Sequence, residues 1–236
     1  MTVPPKGPVP PPDRRKDLVW ILGFAVVTVL LWHTPVLFPL RCFVVLVHET
    51  GHALAALLTG ASVSHLVVRP DESGEVMYSG GWPVIISAAG YVGSSLLGAV
   101  LLALTAYPRS HRMATAVLGA VLIGVTLLYV PFQNAFGFAL GLTWGAGLLH
   151  LGIKAYTWLP RFVNFLAVML CFYAVYDFGD FLLGDPMRTD PGILAKHLGL
   201  PFLAWPIGIL WVIMSLWMMY RGGRVAFGLD SPAKPA

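Results

Sequence analysis

Charged residues are scarce in this sequence. Lys, Arg, Asp and Glu together make up 11% of the 236 residues, whereas hydrophobic residues make up 57%. Typical soluble domains carry about 25% charged residues, so this chain has too few charges to cover a water-facing surface. A lipid bilayer can solvate an apolar surface in place of water. The scarcity of charge therefore excludes an ordinary soluble domain and favours a membrane-embedded one.

Cysteine and long basic stretches are also nearly missing. The two cysteines, Cys42 and Cys171, lie inside apolar runs, and they are too few for a disulfide framework or a cysteine-based metal site. We expect both to be small buried hydrophobic residues. The net charge of +4 comes from short basic flanks of apolar runs, which is typical of loops at a lipid surface. Nucleic acid is therefore excluded as a partner.

The N-terminus lacks the pattern of a cleavable signal peptide. Its first 17 residues are polar and rich in proline, the apolar run begins only at Leu18, and no small-residue cleavage site follows that run. We expect a flexible Pro-rich tail at residues 1–17, a membrane-embedded domain at 18–220 and a polar C-terminal tail at 221–236.

Long apolar runs fill most of the chain. A transmembrane helix needs about 20 mainly apolar residues, and seven runs meet or approach this length: 18–38, 41–59, 82–106, 113–131, 135–153, 160–183 and 201–220. The sequence therefore predicts an all-α polytopic membrane protein, a bundle of about six to seven transmembrane helices.

Two stretches interrupt the apolar runs. Residues 62–80 alternate between apolar and polar and contain the turn Asp71-Glu72-Ser73-Gly74, which predicts a short β-hairpin between the second and third spans. Residues 184–200 are predicted to form a polar loop, which holds Asp185, Arg188, Asp190 and Lys196.

The second apolar run carries the sequence His48-Glu49-Thr50-Gly51-His52. Histidines four residues apart project from one helix face and can bind a single Zn²⁺, with the adjacent glutamate as general base toward a water held by the metal. Ionisable residues within a bilayer helix are costly and normally functional. We therefore expect His48 and His52 to be metal ligands, Glu49 to be catalytic, and one zinc ion to be the cofactor.

A catalytic zinc needs a third protein ligand and an open position. Of the eight aspartates, two lie within or at the end of an apolar span, Asp177 and Asp180. Because they are three residues apart on a helix, they share a face. We expect Asp177, the deeper of the two, to be the third ligand, while Asp180 is either a residue that orients a ligand or the ligand itself.

With these residues in place, the sequence resembles the site-2 protease family of intramembrane zinc metalloproteases. The resemblance covers roughly residues 41–183 and rests on the His48–His52 motif within a span, the 62–80 hairpin, the later span that begins at Ala88, and Tyr176-Asp177. The third core segment of the family usually carries a Gly-Pro step and an Asn, where this chain has Gly90-Tyr91 and Ser94. We therefore identify it as a divergent, compact, bacterial-type member.

The resemblance implies an intramembrane metalloendopeptidase of the bacterial inner membrane, with a transmembrane protein as its substrate. The substrate helix is unwound and can add as a strand to the hairpin edge. The resemblance does not identify the residue that donates a hydrogen bond to the oxyanion of the reacting peptide. Asn134 is one polar candidate for this role. The alternatives are a zinc or ion transporter, or a scaffold that binds a partner without cutting. A transporter needs a polar path from both faces, and the intact Glu49 argues against a mere scaffold.

Overall fold

Helices dominate the computed structural model, which describes residues 14–105, 107–154, 156–183 and 185–227. One β-hairpin interrupts them, between the second and third helices. The described elements in chain order are α1 (Arg14–Leu31), α2 (Phe38–Leu58), β1 (Ser62–Val68), β2 (Gly74–Ser79), α3 (Pro83–Leu104), α4 (Pro108–Tyr129), α5 (Ala135–Lys154), α6 (Leu159–Leu183), α7 (Asp190–His197) and α8 (Ala204–Ala226).

Six helical stretches within the described ranges are long and apolar enough to cross a membrane: Pro35–Leu58, Pro83–Leu104, Arg109–Tyr129, Ala135–Lys154, Leu159–Asp177 and Pro201–Ala226. The apolar part of α1, Leu18–Leu31, is shorter, because the run predicted at 18–38 breaks before Pro35, which opens a separate turn. The chain is therefore an integral membrane protein, and the predicted helix bundle with a hairpin between its second and third helices is confirmed.

Helix α2 lies at the centre of the bundle. Of the candidate span that contains it, 72% is buried, against 22–56% for the other five. Three of its apolar residues, Phe43, Val44 and Leu46, are completely buried in the largest hydrophobic cluster, together with residues of β1, α4 and α6. Because α2 also carries the His-Glu-His motif, the motif is held by the most enclosed helix of the bundle.

The hairpin runs back along α2. Strands β1 and β2 are antiparallel, with Ser62 opposite Ser79 and Val68 opposite Gly74, and a bulge lies between Val63 and His65. Leu66 and Val68 are fully buried and pack in the same cluster as α2. This contact determines which face of the hairpin packs against α2.

A short helix replaces part of the predicted polar loop at 184–200, so the loop prediction is wrong for residues 190–197. Helix α7 begins after Thr189, with Pro191 in its first turn and Lys196 and His197 in its last. Proline at a helix start and cations at its end both favour a helix. Leu194 and Ala195 are buried among residues of α3 and α8, which holds α7 against the bundle.

Glycines let the helices approach one another closely. A Cβ added to Gly98 on α3 would lie 2.7 Å from the carbonyl oxygen of Ala167 on α6, and one added to Gly119 on α4 would lie 2.4 Å from the backbone nitrogen of Leu149 on α5. Such contacts between backbones are how helices associate in lipid, where packing rather than the hydrophobic effect drives association.

The predicted tails fall mainly outside the described residues. Residues 1–13 and 228–236 are not described, while α1 already begins at Arg14 and α8 ends at Ala226. The helices therefore reach beyond residues 18–220 at both ends of the predicted domain.

Candidate metal centre

Two histidines of α2 meet at their imidazole rings. His48 and His52 are one helical turn apart, and their Nε2 atoms lie 3.0 Å from each other. Both side chains are buried, with 5% and 6% of each residue exposed. The spacing predicted from the sequence therefore places both imidazoles on one face, as the i, i+4 relation requires.

A carboxylate from a distant part of the chain lies between the two histidines. The Oδ2 atom of Asp190, at the start of α7, is 3.0 Å from Nε2 of His48 and 3.0 Å from Nε2 of His52. Among the described residues, His48, His52 and Asp190 form a candidate metal-binding group. Their ligand atoms all lie within 4.8 Å of one another. Two imidazole nitrogens and one carboxylate oxygen are a donor set that suits zinc.

The tautomer of His52 is set by a backbone carbonyl. Its Nδ1 lies 2.6 Å from the carbonyl oxygen of Ile86, and since a carbonyl only accepts, Nδ1 carries the proton and donates it. The lone pair then belongs to Nε2, which faces Asp190. A histidine held in this way by its other nitrogen is the usual arrangement of a metal ligand.

Aromatic rings enclose His48. The rings of Tyr91 on α3 and Tyr173 on α6 are nearly perpendicular to its imidazole, with centroid distances of 4.9 Å and 5.2 Å. Edge-to-face contacts of this kind favour one ring orientation. Three helices therefore fix the direction in which His48 points.

The absence of a side chain at Gly90 makes room for the ligands. A Cβ there would lie 2.4 Å from Nε2 of His48 and 2.5 Å from Nε2 of His52. At the same level on α2, a Cβ on Gly51 would lie 2.6 Å from the carbonyl oxygen of Ala89. Helices α2 and α3 are thus close enough at this level that only glycine fits at either position.

Glu49 lies beside the metal-binding group and faces a cavity of about 220 Å³. Its carboxylate touches the start of β2, because a Cβ on Gly74 would lie 2.5 Å from Oε1 of Glu49. Glu49 is 6% exposed. The cavity walls come from α2, β2, α3 and the segment around α7: Glu49, His52, Gly74, Glu75, Val76, Tyr78, Ile86, Ser87, Arg188, Asp190 and Ile193.

The environment of Asp190 favours its ionised form. Burial by itself raises the pKa of this carboxyl, but the neighbouring imidazoles, His52 first, lower it by more through electrostatic attraction and hydrogen bonds, so that the pKa lies below its ordinary value. An anionic oxygen next to two imidazoles attracts a cation. The negative charge of Asp190 and the types of ligand atom in the group therefore both favour binding of a metal cation.

The predicted third ligand lies elsewhere. Asp177 on α6 lines a second cavity, of about 160 Å³, together with Arg41 and Glu72, and it is not in the group formed by His48, His52 and Asp190. The side chain of Asp180 lies outside the described part of the chain. Asn134 accepts a hydrogen bond from the backbone nitrogen of Gly137, as residues at the start of a helix commonly do.

The sequence does not single out Asp190, because depth in an apolar run favours other carboxylates. It lies in a polar stretch between two spans, and only the return of that stretch to α2 brings it to the histidines. The one local signal is Thr189-Asp190-Pro191, which is typical of a helix start. This signal places a carboxylate at the tip of α7 but does not indicate where the tip lies.

Comparison with known proteins identifies the family. The model of the Peptidase M50B-like family matches residues 21–222, which is most of the chain and includes all three members of the metal-binding group. This is a site-2 protease family, so the resemblance seen in the sequence is confirmed. No curated protein and no solved structure matches the chain.

Proposed function

The chain belongs to the Peptidase M50B-like family, and from that premise we propose that it is a zinc-dependent intramembrane endopeptidase that cleaves transmembrane segments of other membrane proteins. The observation that carries the proposal is the meeting of His48, His52 and Asp190 beside Glu49 within a bundle of apolar helices. The intramembrane setting follows from the position of α2, which lies within the candidate span Pro35–Leu58.

We propose that His48 Nε2, His52 Nε2 and a carboxylate oxygen of Asp190 hold one zinc ion, with Asp190 in the role that is predicted above for Asp177. Ligand atoms of a tetrahedral zinc lie about 3.4 Å apart, given bonds of about 2.0–2.1 Å. The three ligand atoms lie 3.0 Å from one another, so they need to move apart only slightly to bind zinc. When bound, zinc supplies a Lewis acid that polarises the scissile carbonyl and lowers the pKa of water.

Glu49 is the general base in this proposal. Its carboxylate faces the cavity that His52 and Asp190 also line. It takes a proton from the attacking water and passes it to the nitrogen of the leaving amine, so that the peptide bond breaks with one water consumed. Burial of Glu49 keeps bulk water away from this proton transfer.

Strand β2 gives the substrate a place to bind. It is one of the two strands of the sheet, and Gly74, Val76 and Tyr78 of this strand line the cavity. At membrane depth, an unpaired strand edge is tolerated only where it is buried or lines a cavity, and such an edge accepts an added strand. A substrate helix unwound along β2 exposes its peptide bonds next to Glu49.

The test is proteolysis by the purified protein in liposomes, with a transmembrane substrate reconstituted alongside. Glu49→Gln keeps the shape of the side chain but removes the base, and we expect the rate to fall by about 10²–10⁴-fold with the zinc content unchanged. The control is Asp185→Asn, the same acid-to-amide change at an exposed residue outside the cavity, where asparagine can still accept the hydrogen bond from the backbone nitrogen of Met187. This variant should cleave like wild type.

Two results would contradict the proposal. Cleavage by Glu49→Gln at the wild-type rate would exclude Glu49 as the base. Zinc uptake into the liposomes that depends on His48, without any proteolysis, would favour a transporter instead.

A further inference from the structure

Arg41 is a cation inside a candidate membrane span. It lies in the stretch Pro35–Leu58, where its only formally charged companion is Glu49. The two are eight positions apart on α2, about 12 Å along the helix axis. A charged residue in a span is costly and is normally paired, and it commonly marks function. Glu49 belongs to the proposed catalytic site, which leaves the role of Arg41 to be explained.

Arg41 joins three segments of the fold. Its Nε and Nη2 atoms donate to the two carboxylate oxygens of Glu72, both at 2.6 Å. Its Nη1 donates to the carbonyl oxygens of Trp32 and Thr34. All three guanidinium nitrogens are therefore used, and the side chains of Arg41 and Glu72 are 12% and 28% exposed. A bidentate pair of this kind fixes geometry as well as charge.

Glu72 lies in the turn between β1 and β2 with a φ of 67°. This left-handed conformation is disfavoured for a residue with a Cβ, and among the described residues other than glycine it occurs here alone. The turn adopts it where the carboxylate meets Arg41. The pair thus holds the turn in a conformation that the backbone by itself does not prefer.

The turn leads directly into the strand beside Glu49. Gly74, the first residue of β2, follows Glu72 by two positions and touches the Glu49 carboxylate. The hairpin therefore meets α2 at two levels, through Glu72 at Arg41 and through Gly74 at Glu49. Two such points determine how far β2 can slide or tilt along the helix that carries the base.

We propose that the Arg41–Glu72 pair is a positioning device that sets strand β2 against Glu49 and so determines where the substrate peptide bond lies. The inference rests on the proposed proteolytic function. Arg41 acts through β2 and touches neither the metal-binding group nor the cavity at Glu49 in the described structure. Loss of the pair leaves the base and the metal ligands intact but frees the strand that presents the substrate.

The first test measures kcat and KM separately. Arg41→Met removes the ion pair and the carbonyl contacts, and because a displacement of about 1 Å costs about 10²-fold, we expect kcat to fall by about 10–100-fold while KM changes less than about threefold. Arg41→Lys keeps the positive charge but not the two-pronged hydrogen bonding of the guanidinium. Its kcat should therefore lie between that of wild type and that of Arg41→Met. Zinc content should stay at the wild-type value in both variants.

The matched control is the other ion pair of the hairpin. Arg69 and Glu75 lie 2.7 Å apart with side chains 41% and 50% exposed, and exposed pairs contribute little. Arg69→Met should leave kcat and KM unchanged. An equal loss of kcat in Arg69→Met and Arg41→Met would overturn the proposal, since any weakening of the hairpin would then have the same effect.

A second measurement does not depend on activity. Hydrogen exchange of the backbone amides at 69–79 should be faster in Arg41→Met than in wild type, and unchanged at 42–58. If Arg41→Met does not fold, Glu72→Gln replaces it, because Arg41 then keeps its contacts with Trp32 and Thr34. Unchanged exchange at 69–79, or an unchanged kcat, would overturn the inference. A wild type that cleaves nothing would refute the proposed function, while the exchange data would still test the attachment of the hairpin.

Discussion

Gly90 is the residue at which α3 comes nearest to the metal-binding group. Replacing it by alanine would put a Cβ 2.4 Å from Nε2 of His48 and 2.5 Å from Nε2 of His52. Because the backbones of α2 and α3 are already in contact at Gly51, the helices cannot separate without losing that packing. The two imidazoles are therefore expected to turn away from each other.

We expect Gly90→Ala to lose most of its zinc while the protein still folds and inserts into membranes. The measurement is the zinc-to-protein ratio of purified protein, with circular dichroism to show that the helices are retained. Gly93→Ala on the same helix is the control, because the nearest atom to its added Cβ is 3.9 Å away. Zinc at the wild-type ratio in Gly90→Ala would mean that the imidazoles bind the metal in another orientation.

The residues of the site differ in how far the sequence alone predicts them. His48, Glu49 and His52 are close in sequence, and the helix period places the two histidines together. Asp190 follows His52 by 138 positions, and its approach depends on the packing of α7 against α3 and α8. Local patterns carry no information on such a return of the chain. Depth in an apolar run therefore favours Asp177, which lines a different cavity.

At the scale of elements, the hairpin was predictable and α7 was not. The hairpin alternates over two strands and contains an acidic turn, which is a strong local signal. Helix α7 has eight residues, too few for a clear helical period, and its polar flanks favour a loop. The spans were predictable because each is an apolar run of sufficient length.

The start of β2 offers a test of how closely the hairpin must approach the base. In Gly74→Ala, the new Cβ would lie 2.5 Å from Oε1, 2.6 Å from Cγ and 2.7 Å from Cδ of Glu49. Either the strand or the glutamate has to move. Since general base catalysis requires hydrogen-bond reach to the proton, we expect kcat to fall by about 10-fold or more, with zinc content unchanged.

Ser79→Ala, at the exposed far end of the same strand, is the control and should retain the wild-type kcat. Proteolysis of the reconstituted substrate is the measurement for both variants. A Gly74→Ala protein as active as wild type would show that Glu49 does not act from the position that it has here.

On the scale of the whole molecule, the metal-binding group joins parts of the fold that are far apart in sequence. Two of the residues that could hold a metal come from the central helix α2 and the third from α7. The segment 185–203 lies between α6 and α8 and is attached through buried residues such as Leu194 and Ala195. A metal ion held by these three residues would add a direct link between this segment and α2. Its binding is therefore expected to stabilise the whole bundle and not only the site.

This expectation separates Asp190 from Asp177 as the third ligand. A ligand that binds only the folded state stabilises it by about 2.7 kcal/mol at a hundred times its Kd, so added zinc should raise the melting temperature of the metal-free wild type. Asp177→Asn should keep this rise, because its side chain lies outside the metal-binding group. Asp190→Asn should lose it, because only two of the three ligands remain and affinity falls by at least about 10²-fold.

The measurement is thermal unfolding in detergent with and without zinc. A rise that is lost in Asp177→Asn and kept in Asp190→Asn would identify Asp177 as the third ligand. Equal rises in both variants would mean that neither carboxylate binds the ion and that α7 is held to α2 by packing alone.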